Sequence, residues 1–576
     1  MSDTPAPDET RRFDRKKFIG ISAAAAATPM VAGAFARRAS AAPAPQLEEA
    51  TIAQLQAQMT AGGLTAHSLV QMYLARIDAV DRRGGLNSML EVNPEAEEIA
   101  KALDAERKAG HVRGPLHGIP VTLKGNIDTH DKMQTTAGSI ALVGTPALQD
   151  ATVAAKLRQA GAVILGKTNL SEWANFRSFH SSSGWSGQGR QTNNPYVLDR
   201  NPCGSSSGSA AAVSANLCAA GLGTETDGSI VCPANANGTI GIKPTVGLTS
   251  RAGVIPISHT QDTVGPHART VADAAAILTA IVSRTPDSRD AATGGSPTGG
   301  ARPTLPADYT AFIDSHGLNG AKIGALHGPV LTGYSEETDK AYADALDAMR
   351  AAGAHVFDIE LPHLDDILNS LAEIIVLVYE FKRDLNAYLA TRTGVPIHSL
   401  ADAIAFNTDH ADTELKWFGQ EWFELAEADP FAADYAAALV EDRSLGSGAI
   451  DGGLALEGGL DALVAPTDSP PWTTDLVNGD LFLGASSFPC AMAGYPIINV
   501  PAGNAFGLPL GISFMASAFS EPKLIKLASG FEAETKARLV PQFLPSLPKD
   551  VPARRGSSKA KSKALPNRRL PAVSHL

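Results

Sequence analysis

The chain has 576 residues, 44% hydrophobic and 19% charged, with a formal net charge of −12. That composition excludes wholesale disorder, and an acidic balance argues against nucleic acid as a partner. Four cysteines without a CxxC pair exclude a disulfide scaffold and disfavour a structural zinc site.

The charge is unevenly spread. Residues 1–41 carry seven basic side chains against four acidic ones, a balance of +3. Residues 549–576 carry eight against one, a balance of +7, which leaves −22 on the body between. The N-terminus reads as an export signal. Arg11 to Lys17 precede an Ala- and Gly-rich run, and Ala39-Ser40-Ala41 forms a small-x-small cleavage pattern. The run is too weakly apolar, and too broken by Thr28 and Pro29, to anchor in a bilayer. Weak hydrophobicity behind Arg11-Arg12 resembles a twin-arginine leader, although the spacing to Phe18-Ile19 fits Arg15-Lys16 better. Export to the periplasm or medium is the expected localisation. The stretch 548–576 has no helical or strand period and reads as a basic disordered tail.

Between these ends, helical periods alternate with short apolar runs. The spacing predicts helices over Ala66–Arg82, Pro94–Ala109 and Thr152–Ala160, and buried strands over Ile119–Leu123 and Ala162–Leu165. Such alternation indicates an α/β fold with a layered sheet. Thr285–Pro306, rich in Gly and Pro, reads as a surface excursion.

Three short matches mislead. Gly161–Thr168 fits the phosphate-loop pattern letter for letter, but its middle residues Ala-Val-Ile-Leu favour an extended strand, and the helix precedes the match instead of following it. Gly204–Gly208 fits G-x-S-x-G, but the residues before it read as loop, whereas a nucleophile elbow needs a strand. Ser520-Glu-Pro-Lys523 fits S-x-x-K without the companion motifs and reads as a helix start.

Two segments carry chemistry. In Leu116–Asp128 an apolar run ends in Lys124, followed by Gly125. In Pro202–Pro233 a Ser cluster opens an Ala-rich helix, and a Thr226-Asp227-Gly228-Ser229 turn follows. A serine hydroxyl is a weak nucleophile until a base takes its proton. A lysine at the end of a buried strand loses its hydration, which favours the neutral amine that can do so. Backbone amides at the 226–229 turn are placed to stabilise an oxyanion. The alternative at this level is a surface lysine with two turn serines.

These segments resemble the amidase signature family. Its G-I-P-V-x-x-K element matches Gly118–Lys124, and its two serines stand 24 positions apart, here Ser205 and Ser229. Leu157–Asn169, Gly241–Gly247, Asp262–Asp273, Ala493–Gly503 and Gly507–Gly511 fit the same pattern, so the resemblance covers roughly 46–540, and the domain it implies is taken as 46–547. It implies one large domain with a central mixed, twisted sheet covered by helices on both faces. It implies Ser229 as nucleophile, Ser205 as bridging serine on a cis peptide bond, and Lys124 as base. Ser206, Thr226, Asp227 and Gly228 are supporting or oxyanion residues. No cofactor or metal is implied.

Two departures bear on substrate. Asp227 stands where many members have Gly, and Val231-Cys232 where many have Arg. A carboxylate beside the nucleophile and no arginine favour a neutral amide. Asn201–Gly208, Gly184-Trp-Ser, Gln191–Tyr196 and Trp417–Gln420 look like the bacterial peptide amidase branch, which implies C-terminal peptide amides as substrates. Alternatives are a fatty-acid or aryl amidase, the A subunit of a tRNA-dependent amidotransferase, or a non-catalytic binding protein. A monomer or homodimer without a stable membrane anchor is expected. Cys203 and Cys232 flank the site. They read as small core residues, although an exported chain would allow them to pair.

Overall fold

The β-branched and leucine-rich runs read as strands above do form strands, and in the computed structural model they join one sheet. The structure describes residues 47–548. The leader expected over 1–41 and the basic tail from Lys549 lie outside the described residues. No described helix is long and apolar enough to cross a membrane.

The sheet has eleven strands: β1 (Met89–Val92), β2 (Pro120–Lys124), β3 (Val163–Thr168), β4 (Ala220–Glu225), β5 (Ile240–Lys243), β6 (Thr263–Ala268), β7 (Lys322–His327), β8 (His355–Glu360), β9 (Ala462–Pro466), β10 (Ile497–Ala505) and β11 (Leu508–Met515). Their order is β1-β3-β2-β4-β6-β5-β10-β11-β9-β7-β8. β2 runs parallel to β3 and β4, and β7 parallel to β8 and β9, while the other pairs are antiparallel. The sheet is therefore mixed. Every residue of β2, β3, β4 and β6 is buried, so both faces of the sheet's centre are covered. The strands before and after 285–306 belong to this same sheet.

Two expected elements are adjusted locally. The helix expected over Ala66–Arg82 is α-helical over Ala66–Arg76 and π-helical over Ile77–Arg82. In that widened turn Asp81 is buried and accepts from the Ser88 N–H and hydroxyl at 2.5 Å. The phosphate-loop match is β3, preceded by the helix Thr152–Gln159, as its apolar middle residues require.

Among the helices from the second half of the chain, Ala372–Leu389 packs on Tyr435–Leu454, which in turn packs on β9. Phe381, Leu385 and Phe423 share an apolar cluster with Trp173, Phe176, Ile255 and Ile257. A buried charge cluster fastens the same junction. Arg177 Nη1 donates to Glu172 Oε1 at 2.8 Å and to the Glu414 carbonyl, and lies 3.8 Å from Glu414 Oε2. Its guanidinium also sits 4.4 Å from the Phe418 ring centroid. Glu414 accepts from Ser139 and the Ile140 N–H. One cation thus holds two carboxylates from which water is excluded. Replacing Arg177 by Met leaves both without a counter-charge, and such a loss costs about 3–5 kcal/mol. The urea midpoint of R177M is expected to fall accordingly.

Candidate active site

Lys124 ends β2 because the chain must turn at Gly125. A Cβ there would lie 2.6 Å from Leu90 Cδ1 and 3.1 Å from the Thr168 carbonyl. The lysine is wholly buried. Its Nζ donates to Ser205 Oγ at 2.7 Å, Thr224 Oγ1 at 2.9 Å and the Thr224 carbonyl at 3.2 Å. No carboxylate is among these partners. Burial brings its pKa down to about 7, although the charges of Asp262 and Glu225 pull upward.

The serine cluster lies against this amine. The Gly204–Ser205 peptide bond is cis. Ser205 is fully buried, and its carbonyl accepts from the Ser171 N–H at 3.1 Å. Gly204 admits no side chain, since a Cβ would meet Ser171 Oγ at 2.1 Å. Ser206 ties three pieces together. Its N–H donates to the Ser229 carbonyl at 3.1 Å, and its hydroxyl donates to the Thr224 carbonyl at 3.0 Å. The helix Ser207–Ser214 then begins.

The 226–229 turn links β4 to the helix Val231–Ala236. Glu225 accepts from the Ile230 and Val231 N–H groups at 2.6 and 2.9 Å, satisfying amides at that helix start. Thr226 donates its hydroxyl to Asp262 at 2.6 Å, and Ser487 donates to Asp227 at 2.5 Å. Gly228 has φ 76°, which a side chain resists. Among the described residues the N–H groups of Asp227, Gly228 and Ser229 have no protein acceptor. All three residues line a cavity of about 780 Å³. Its walls include Phe179, Trp422, Phe482 and Phe488 and, among the described residues, no lysine or arginine. Ser229 is 9% exposed.

The structure therefore gathers every residue singled out in the sequence: Lys124, Ser205, Ser206, Thr226, Asp227, Gly228 and Ser229. Five partners have no motif to announce them. Thr224 accepts from the lysine, and Asn126 donates to Thr224 Oγ1 at 3.0 Å. Glu225, Asp262 and Ser487 hold the turn. Asp262 stands in a segment already noted, and Asn126 two residues after Lys124, whereas Ser487 arrives from far along the chain. One expectation is corrected. Cys203 and Cys232 are not merely small core residues, for they form a disulfide. Cys203 directly precedes Gly204, and Cys232 is the second residue of the helix after the 226–229 turn, so folding brings them together.

Asp468 lies within ligand distance of these two cysteines, but disulfide sulfurs carry no thiolate to offer a metal. A second group, His259, Glu380 and Asp384, is instead internally paired, with His259 Nδ1 2.9 Å from Asp384 and Nε2 3.2 Å from Glu380. The chemistry available is a serine hydroxyl beside open amides, held through the Ser206 N–H to the segment whose Ser205 meets a buried amine.

Comparison with known proteins bears directly on this arrangement. The Amidase family profile matches residues 68–525. The native peptide amidase from Stenotrophomonas maltophilia superposes with a TM-score of 0.80 at 49% identity, covering 86% of this chain and 99% of that one. A probable amidase of Arabidopsis thaliana is 42% identical over 510 residues, 86% of this chain and 92% of the relative. A component of the glutamyl-tRNA(Gln) amidotransferase of Myxococcus xanthus is 33% identical, over 85% and 98% of the two chains. With its α/β fold and a profile match running across most of its length, the chain belongs to the amidase signature family of hydrolases.

Proposed function

We propose that this hydrolase removes the carboxamide from peptide C-termini, converting R–CO–NH₂ and water to R–COOH and NH₃ through an acyl-enzyme on Ser229. One observation carries the reading. The fully buried Lys124 amine meets Ser205 Oγ at 2.7 Å, with no carboxylate to hold it protonated. The similarity to a peptide amidase over nearly all of its length supports the substrate class. So does a cavity wall that has, among the described residues, no lysine or arginine, and from which Asp227 repels a substrate carboxylate.

Neutral Lys124 takes the Ser205 proton while Ser205 takes that of Ser229. Ser229 Oγ attacks the amide carbon, and the amides of Asp227, Gly228 and Ser229 receive the oxyanion. Collapse breaks the C–N bond, and the stored proton returns through Ser205 to the departing ammonia. Water then gives a proton to the same relay and attacks the ester. Acid is released, and Ser229 regains its hydrogen. Ser206 and Thr226 hold the frame through their bonds to Ser229, Thr224 and Asp262. We also assign residues 46–547 to one amidase domain and the leader to export. The basic-then-Ala-rich N-terminus supports export, as does a disulfide, a bond that persists in oxidising compartments.

Ammonia release from an amidated dipeptide tests the reading. K124A and S229A are each expected to lose roughly a thousandfold or more in kcat. Near-normal turnover by either would sink the relay, and activity that requires glutamine and a second protein would move the chain to the amidotransferases. The pH profile is a separate check. Protonated Lys124 cannot accept a proton, so kcat/KM should climb about tenfold per pH unit below about 7 and level off above it. A flat profile from pH 5 to 8 would remove Lys124 as the base. Finally, D227N should narrow the preference for neutral over carboxylate-bearing amides by about tenfold or more, measured as a ratio of kcat/KM values.

A further inference from the structure

The disulfide sits in an unusual place for a stabilising cross-link. Cys203 is separated from Ser205 only by Gly204, and Cys232 lies three residues after Ser229. Both cysteines line the cavity, at 4% and 3% exposure, and pack with Ala236 and Trp472. Cys203 is held at φ 56°, a left-handed conformation that residues with side chains seldom adopt. Two other links join these segments. Ser206 N–H reaches the Ser229 carbonyl at 3.1 Å, and Asn237 Nδ2 reaches the Pro202 carbonyl at 2.8 Å. They lie on either side of Cys203. Its own N–H donates to Asn201 Oδ1 at 2.7 Å and its carbonyl accepts from Ser207 Oγ at 2.6 Å, both within its own segment, so the covalent bond is what ties Cys203 itself to the segment that carries Ser229.

We propose that Cys203 and Cys232 are positioning residues for amide hydrolysis, whose bond holds the Ser205 segment in register with Ser229 and whose reduction turns the enzyme down. The inference rests on the reading of Ser205 and Ser229 given above. Opened, Cys203 keeps its local bonds to Asn201 and Ser207 but loses its tie to the segment that carries Ser229, so the 201–207 segment can shift as a unit relative to Ser229. A shift of about an ångström in a reacting group is enough to cost a hundredfold in rate. A small dithiol supplies the reductant. Its thiolate attacks one sulfur and breaks the Cys203–Cys232 bond, giving a mixed disulfide. Its second thiolate then closes on the first, leaving two protein thiols and an oxidised cyclic disulfide. Two electrons pass to the protein and two protons come from the dithiol and solvent. Reoxidation reverses the change.

The test uses the purified full chain, oxidised, then treated with dithiothreitol and returned to air or oxidised glutathione. Alkylation after denaturation counts thiols, which should rise from two, Cys218 and Cys490, to four. On reduction kcat should fall tenfold or more with KM changing less than threefold, circular dichroism should be retained at the assay temperature, and activity should return on reoxidation. The labelling rate of Ser229 by a fluorophosphonate should fall in parallel. The double variant C203A/C232A should show the same low kcat and ignore dithiothreitol. If it does not fold, reduced wild type decides. Four thiols with kcat and labelling within twofold of the oxidised enzyme would overturn the proposal, and so would a bond that yields no thiols in the folded protein. An oxidised enzyme inert toward amidated peptides but labelled at Ser229 would count against the substrate reading alone, because the labelling ratio still measures the cross-link.

Discussion

Lys124 surrenders its water on folding and receives no counter-charge in return. The rest of the site is built around that imbalance. An ammonium in such a place is costly, and the protein relieves the cost by letting the proton go. The three neighbours of Nζ are all neutral oxygens, two on Thr224 and one on Ser205. Asp262 and Glu225 stand near enough to be felt, yet each is occupied elsewhere, by Thr226 and two loop amides in one case and by two helix-start amides in the other. The carboxylates therefore brace the turn and leave the amine without a directly bonded charge partner, as the proposed base requires.

Strand order explains how these groups meet. β2 and β4 are parallel neighbours, so Lys124 and Glu225 emerge at the same edge although about a hundred residues separate them. The serine cluster lies on the connection between them and starts the helix that packs on β4. A parallel sheet delivers its C-terminal strand ends to one side, and the polar groups of the reaction are collected there. The second half of the chain adds about half of the wall, Trp422, Phe482 and Phe488 among it.

The sequence shows this unevenly. Lys124 and the 226–229 turn are legible because a run of buried residues broken by Lys-Gly, or by Thr-Asp-Gly-Ser, has few structural uses. The false phosphate loop is legible too, since Ala-Val-Ile-Leu cannot curl around an anion and instead forms β3. Ser487, Trp422 and Phe488 are not, because nothing local marks a serine or an aromatic that becomes important only when a distant loop closes over it. The disulfide is legible only as a possibility allowed by export, for the same reason. Twenty-nine residues separate its cysteines, and only the fold shows that the intervening helix and strand return the chain to its starting point. The π-turn at Ile77–Arg82 escapes because apolar spacing does not distinguish an α-turn from a slightly wider one.

The origin of the cavity wall has a consequence for the enzyme's history. The proposed proton relay is carried by β2, β4 and the segments joining them, while Trp422, Phe482 and Phe488 come from the second half of the chain, where loops and short helices tolerate replacement. Substitutions there can reshape the acyl pocket without disturbing the desolvation that sets the base. Such a partition lets a lineage explore new amides one side chain at a time, and it marks the same loops as the region to randomise when a different acyl group is wanted.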